Sequence, residues 1–207
     1  MSDKYDVSII PSCNDYSNLC PRGSHILINH LWNCDGVKFY YDGAEASRVE
    51  KVNYIASNNI VSKYLRVCYR SNTDYNCCEC EKCLRTMASL DAVGKLKDIK
   101  TFNHNIDYEK LSKIELENES EYKMAVDTRE FALKNNKDTL ARNLDKQIKN
   151  YETKRIITYI NSNYTAFINN PHSKSINYKI FNYIINNDTK KSFKSILKVI
   201  KKKVLKK

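Results

Sequence analysis

Glycine and proline are scarce in this chain of 207 residues, with four Gly and three Pro. A β-rich barrel with many tight turns needs more of both, as does a collagen-like or linker-like chain. No apolar run approaches the roughly 20 residues that cross a bilayer as a helix. The opening Met1-Ser-Asp-Lys-Tyr-Asp6 has no apolar stretch of the signal-peptide kind, so the expected compartment is the cytosol. What the chain does hold is 42% apolar residues against 29% charged, with 15 Tyr. That composition supports a packed core and argues against wholesale disorder.

Charge is spread unevenly. Residues 1–104 carry 13 Lys or Arg and 12 Asp or Glu, whereas residues 105–207 carry 22 and 12. All eight cysteines lie at or before Cys83. The composition therefore changes near residue 104, and the expected domains are 1–104 and 105–207.

Ser8-Ile-Ile10 before Pro11 reads as the end of a short strand. Residues 11–35 read as a long ordered loop around a short helix near His25–Leu31. Val37–Tyr41 is β-branched and aromatic and is stopped by Asp42-Gly43, which predicts a strand and a turn. Apolar residues at Ala46, Val49, Val52 and Ile55 have helical spacing. Tyr64–Cys68 is a further strand candidate, and Leu84–Val93 a helix ended by Gly94. Strand–helix–strand order makes the first half α/β. Beyond Phe102 only helices are expected, over 120–135, 138–150 and 151–162, then 174–186 and 189–205 after Pro171.

Cys68, Cys77, Cys80 and Cys83 form C-x8-C-x2-C-x2-C. Two-residue gaps let successive thiolates converge on one cation while backbone amides soften their charge. The competing readings are disulfides, which need an oxidising compartment, and buried thiols. Metal ligation is the preferred reading. Zinc ranks ahead of an iron–sulfur cluster, which thiolate spacing alone does not exclude. Cys78 is then a spare thiol, and Cys13, Cys20 and Cys34 lack ligand spacing and read as core or loop thiols. A Cys–His nucleophile using His25, His30 or His104 is conceivable, but no spacing selects a partner.

Three segments carry a family resemblance: Gly23-Ser24-His25, Asp42-Gly43-Ala-Glu45-Ala-Ser47-Arg48-Val-Glu50-Lys51, and Asn76-Cys77 through Cys80-Glu81-Lys82-Cys83-Leu84-Arg85-Thr86-Met87. Over residues 8–103 the chain resembles the C-terminal part of PP-loop ATP pyrophosphatases of the 7-cyano-7-deazaguanine synthase type. It is similar above all to a set of uncharacterised bacterial proteins akin to that family. The resemblance implies a partial Rossmann-like sheet of the adenine nucleotide alpha hydrolase kind. It also implies chemistry in which ATP activates a carboxylate or carbonyl by adenylylation and a nitrogen nucleophile displaces AMP. Such enzymes cradle ATP on a Ser-Gly-Gly-x-Asp-Ser loop. This sequence has no Gly-Gly pair, and Gly23, Gly36, Gly43 and Gly94 lie far apart. The expectation is a substrate-side half that does not turn over ATP alone, working with a separately encoded N-terminal half or by self-association.

His25, Asp42, Glu45, Arg48 and Lys51 cluster around the expected strand-to-helix turn. In open α/β sheets the carboxyl ends of strands face the ligand crevice. The plainer reading makes Asp42 a helix cap and Glu45–Arg48 a solvated pair. With the resemblance, the five become expected substrate-binding residues, Arg48 and Lys51 suiting a phosphate or carboxylate. The last 18 residues, Lys190–Lys207, hold nine Lys and no acid. A helix there would be basic and amphipathic, suited to weak contact with an anionic membrane or to packing on its neighbours. Nucleic acid is the poorer fit, because interleaved aromatics for base stacking are lacking. The rival function is a non-enzymatic zinc-stapled interaction module whose basic tail docks to a membrane or acidic partner.

Overall fold

The computed structural model describes residues 4–20, 23–70, 72 and 75–169. It is mixed α/β, mostly helical, with one small parallel sheet. The chain divides into two compact units, residues 1–148 and 149–207. The described part of the second unit is the end of a long helix. The expected helices at 174–186 and 189–205, and the basic tail, lie outside the described residues.

Strands β1 (Val7–Pro11) and β2 (Lys38–Asp42) pair in parallel, with Val7 opposite Lys38 and Pro11 opposite Asp42. A parallel pair requires a long crossover, and residues 12–37 supply it. This crossover contains short 3-10 turns at Tyr16–Asn18 and Asn29–Trp32, the second standing where a helix was expected near His25–Leu31.

Helix α1 (Arg48–Ile55) begins at a capping box: Ser47 Oγ accepts from the Glu50 amide, and the Glu50 carboxylate accepts from the Ser47 amide at 2.7 Å. The Ser-x-x-Glu spacing satisfies two amides that a helix start otherwise leaves unpaired. Ser47, not Asp42, is therefore the cap. Helix α2 (Asn59–Tyr64) is capped by Asn58.

The expected strand at Tyr64–Cys68 does not form. The β-branched and aromatic character is present, but the Val67 and Cys68 amides donate to the Asn76 side chain, and no strand among the described residues pairs with them.

Helix α3 (Glu81–Ala92) is central, burying Leu84, Met87, Ala88 and Leu90. It ends as expected at Gly94, whose φ of +73° is the left-handed turn that suits glycine. The Gly94 amide donates to Asp91 and that of Lys95 to Leu90, at 2.9 and 2.8 Å, closing the helix end. Helices α4 (Tyr108–Lys113), α5 (Glu119–Lys134) and α6 (Asp138–Asn169) follow. The last joins the expected 138–150 and 151–162 stretches into one helix.

In the first unit Leu84, Ala88 and Ala92 of α3 pack with Leu111, Ala132, Leu140, Ala141 and Leu144. Each fully buried Leu contributes about 2 kcal/mol, and the alanines let the helix axes approach closely. The change in charge at residue 104 falls inside this unit. Beside this core, Asp91 accepts from Tyr108 Oη at 2.7 Å and pairs with Lys137 Nζ at 3.1 Å, tying α3 to α4 and to the start of α6. Among the described residues no helix is long and apolar enough to cross a membrane.

Candidate metal centre

The thiols of Cys68, Cys77, Cys80 and Cys83 all lie within 4.8 Å of one another. Cys68 and Cys80 Sγ are 3.9 Å apart, as are those of Cys77 and Cys83. None of the eight cysteines is in a disulfide. A tetrahedral ion with metal–sulfur bonds of about 2.3 Å places its ligands about 3.8 Å apart, so the observed spacing fits one ion.

Two segments build the cluster. Cys77 and Cys80 flank a tight turn in which the Cys80 amide donates to Cys77 Sγ at 3.3 Å. Cys80 then serves as the cap residue of α3, and Cys83 sits in that helix's first turn. The fourth thiol, Cys68, receives the Arg70 amide at 3.3 Å. These donors are the expected softening of thiolate charge. Cys78 makes the turn possible by adopting φ +59°, and its thiol lies outside the cluster, 3.7 Å from the Asn76 carbonyl.

Asn76 joins the two segments. Only 2% exposed, it accepts at Oδ1 from the Val67 and Cys68 amides at 2.9 and 3.2 Å. Its Nδ2 donates to the Leu65 and Thr101 carbonyls at 2.9 and 3.2 Å. One side chain thus replaces the missing strand partner and sets Cys68 against Cys77. Its only sequence signal is a polar residue immediately before the first cysteine of the turn.

Cys68, Cys80 and Cys83 are buried and Cys77 is half-buried, beside Val67 and Phe102. Burial pushes the Cys80 and Cys83 thiols up, and neighbouring thiols push Cys83 further. Four thiols this close and this dry are poorly placed to ionise together, and a bound cation reverses that preference. The residues therefore fit a metal such as zinc.

Of the five expected substrate residues, Asp42 and Lys51 meet at Ser12, whereas Glu45 and Arg48 line different cavities. Lys51 Nζ donates to Ser12 Oγ and the Ser12 carbonyl at 2.6 and 3.1 Å, bracing the carboxyl end of β1. The Asp42 carbonyl accepts from the Ser12 amide at 2.7 Å. His25 Nδ1 accepts from the Leu27 amide at 3.1 Å. Glu45 lines a cavity of about 420 Å³ with Asp15, Glu50 and Asp127. Arg48 lines a different one, of about 380 Å³, together with Arg66, Lys82 and Arg85. Those last three were not singled out from sequence. Arg66 and Lys82 stand beside the metal ligands in the chain, but their meeting with Arg48 is a tertiary event. No protein-family model, curated protein or solved structure matches this chain.

Proposed function

We propose that this chain is the metal-bearing, substrate-side part of a PP-loop ATP-pyrophosphatase-like protein. The observation that carries the reading is the cluster of Cys68, Cys77, Cys80 and Cys83, with its 3.9 Å sulfur separations. In this reading the ion is zinc. Four thiolates complete its coordination and leave no position for water or substrate, so its role is structural. It staples the segment after α2 to the start of α3. The parallel β1–β2 pair is what a partial Rossmann-like sheet requires, and Lys51 stands at its carboxyl end. His25, Asp42, Glu45, Arg48 and Lys51 are the substrate-side groups of this reading. ATP-dependent adenylylation belongs to it only in the company of a nucleotide-binding half.

Elemental analysis and a pyrophosphate-release assay test the proposal together. One zinc per chain and no pyrophosphate from the chain alone are expected. Turnover by the isolated chain overturns the half-domain reading, and absence of metal overturns the zinc assignment.

A second reading, a zinc-stapled interaction module, is favoured by one observation. Ile9 and Tyr40 stand opposite each other on one face of the sheet and are 64% and 52% exposed. Parallel sheets are normally covered on both faces, so an exposed apolar face on a two-stranded one suits a docking partner. A phosphate-free, ATP-free complex that buries this face would favour the module.

A further inference from the structure

We propose that the cavity lined by Arg48, Arg66, Lys82 and Arg85 binds the phosphate group of a small phosphorylated molecule. The inference stands on this cavity alone and does not depend on the zinc or PP-loop readings above.

Four cations reach the cavity from three segments: the first residue of α1, the stretch after α2, and the first two turns of α3. Negative charge in the described lining is limited to Glu121. Both of its carboxylate oxygens are already occupied, one by the Glu117 amide at 2.8 Å and the other by Asn118 Nδ2 at 3.0 Å. Glu81 pairs with Arg85 at 2.6 Å from outside the lining. Lys82 Nζ sits 3.7 Å above the Tyr69 ring, and Arg66 Nε contacts the Cys68 carbonyl at 3.5 Å. Arg48 has neither a hydrogen bond nor an ion pair among the described residues. Its side chain is exposed, and its guanidinium remains charged at any ordinary pH.

Arg48, Arg66 and Lys82 are exposed and Arg85 is held by Glu81, so their gathering focuses positive potential on the cavity and draws an anion toward it. A phosphate dianion matches guanidinium forks in shape and charge. The volume of about 380 Å³ lies within the range of small-molecule sites. A phosphate fills only part of it, and Val67, Tyr69 and Met124 offer apolar wall for the organic remainder.

The competing role for these cations is to offset the charge of a metal–thiolate cluster, which suits Arg66, Lys82 and Arg85 but not Arg48 on α1. Arg48→Gln therefore separates the two. Calorimetric titration of the full zinc-loaded chain at low ionic strength, with inorganic phosphate and with AMP, should show one saturable site, with AMP the tighter ligand. Arg48→Gln should weaken both by about tenfold or more, as expected for losing a charge-assisted hydrogen bond. Zinc content should be unchanged, and Lys134→Gln in the other cavity should match the parent chain.

The proposal is overturned if neither probe binds at about 1 mM, the weak end of specific affinity. It is equally overturned if Arg48→Gln binds like the parent, or if its only defect is lost zinc. Binding of a single-stranded oligonucleotide that AMP fails to displace would assign the charge to nucleic acid instead. Phosphate binding by a chain that holds no metal would sink the zinc reading and leave this one standing.

Discussion

Replacing Asn76 by alanine removes four hydrogen bonds from a side chain that is 2% exposed. Each is worth about 1 kcal/mol net, so the loss is about 4 kcal/mol, with the stranded backbone groups adding to it. Typical domains have a total stability of about 5–15 kcal/mol, which makes this a large fraction. The damage is directed, because the bonds hold Leu65–Cys68 and Thr101 against the residue that precedes Cys77. If the loss falls on the metal-bound form, zinc affinity drops by about 10³-fold. Competition against a chromophoric chelator measures this, and thermal unfolding of the loaded chain measures stability. Asn76→Asp is a second variant: it keeps an acceptor for the Val67 and Cys68 amides but turns an acceptor toward the Leu65 and Thr101 carbonyls. It should be at least as damaging. Asn143→Ala, which loses one bond to the Thr139 carbonyl and one from Lys146 Nζ on half-buried α6 surface remote in sequence from the cysteines, is the control. The reasoning is refuted if Asn76→Ala binds zinc within about threefold of the parent and melts within about 2 °C of it, a shift below 1 kcal/mol.

The two neighbouring cysteines should behave differently. Cys80→Ser removes a ligand from a site that can supply about 10 kcal/mol of folding free energy, and should abolish stoichiometric zinc and native circular dichroism. Cys78→Ser keeps a small donor near the Asn76 carbonyl and should cost about 1 kcal/mol or less, with one zinc retained. Equal damage from the two would overturn the ligand set. The acidic cavity should show an opposite kind of pH effect from ordinary acid unfolding. Burial and the nearby Asp15 raise the Asp127 pKa above its usual 3.8, so its native form binds the proton more tightly than its unfolded form. Its charge therefore costs stability above that native pKa, and Asp127→Asn should raise the melting temperature at pH 7. The gain should shrink as pH falls through the native pKa toward 3.8. A gain independent of pH, or a loss at pH 7, would refute it.

Much of the local order was legible in the sequence because its causes are local. Gly94 follows an apolar periodic stretch, and the left-handed turn that ends α3 suits glycine, so the stop could be read from residue types. Ser47 and Glu50 are three residues apart, and a capping box needs nothing beyond that spacing, although the apolar spacing begins one residue before the cap, at Ala46. The cysteine pattern belongs to the same class. Two-residue gaps can bring thiols together through one turn and one helical turn, and Cys68, named from the same spacing pattern, joins them in the folded chain.

What the tertiary structure decided are the features whose partners lie far apart in the chain. Tyr64–Cys68 has strand-like residues, but a strand exists only if another strand accepts its bonds. Here Asn76 took them, and no propensity encodes that. The charge difference across residue 104 is real in composition, yet Leu84 and Leu140 share one core, because packing follows apolar faces and ignores net charge. Arg48 and Lys51 sit three residues apart on α1, and sequence spacing put them in one site. The folded chain turns Lys51 back to Ser12 and Arg48 toward Arg85, because where a long side chain ends depends on what the fold brings beside it. Short-range spacing determines caps, turns and ligand triplets; which distant groups complete them is settled only when the chain has folded.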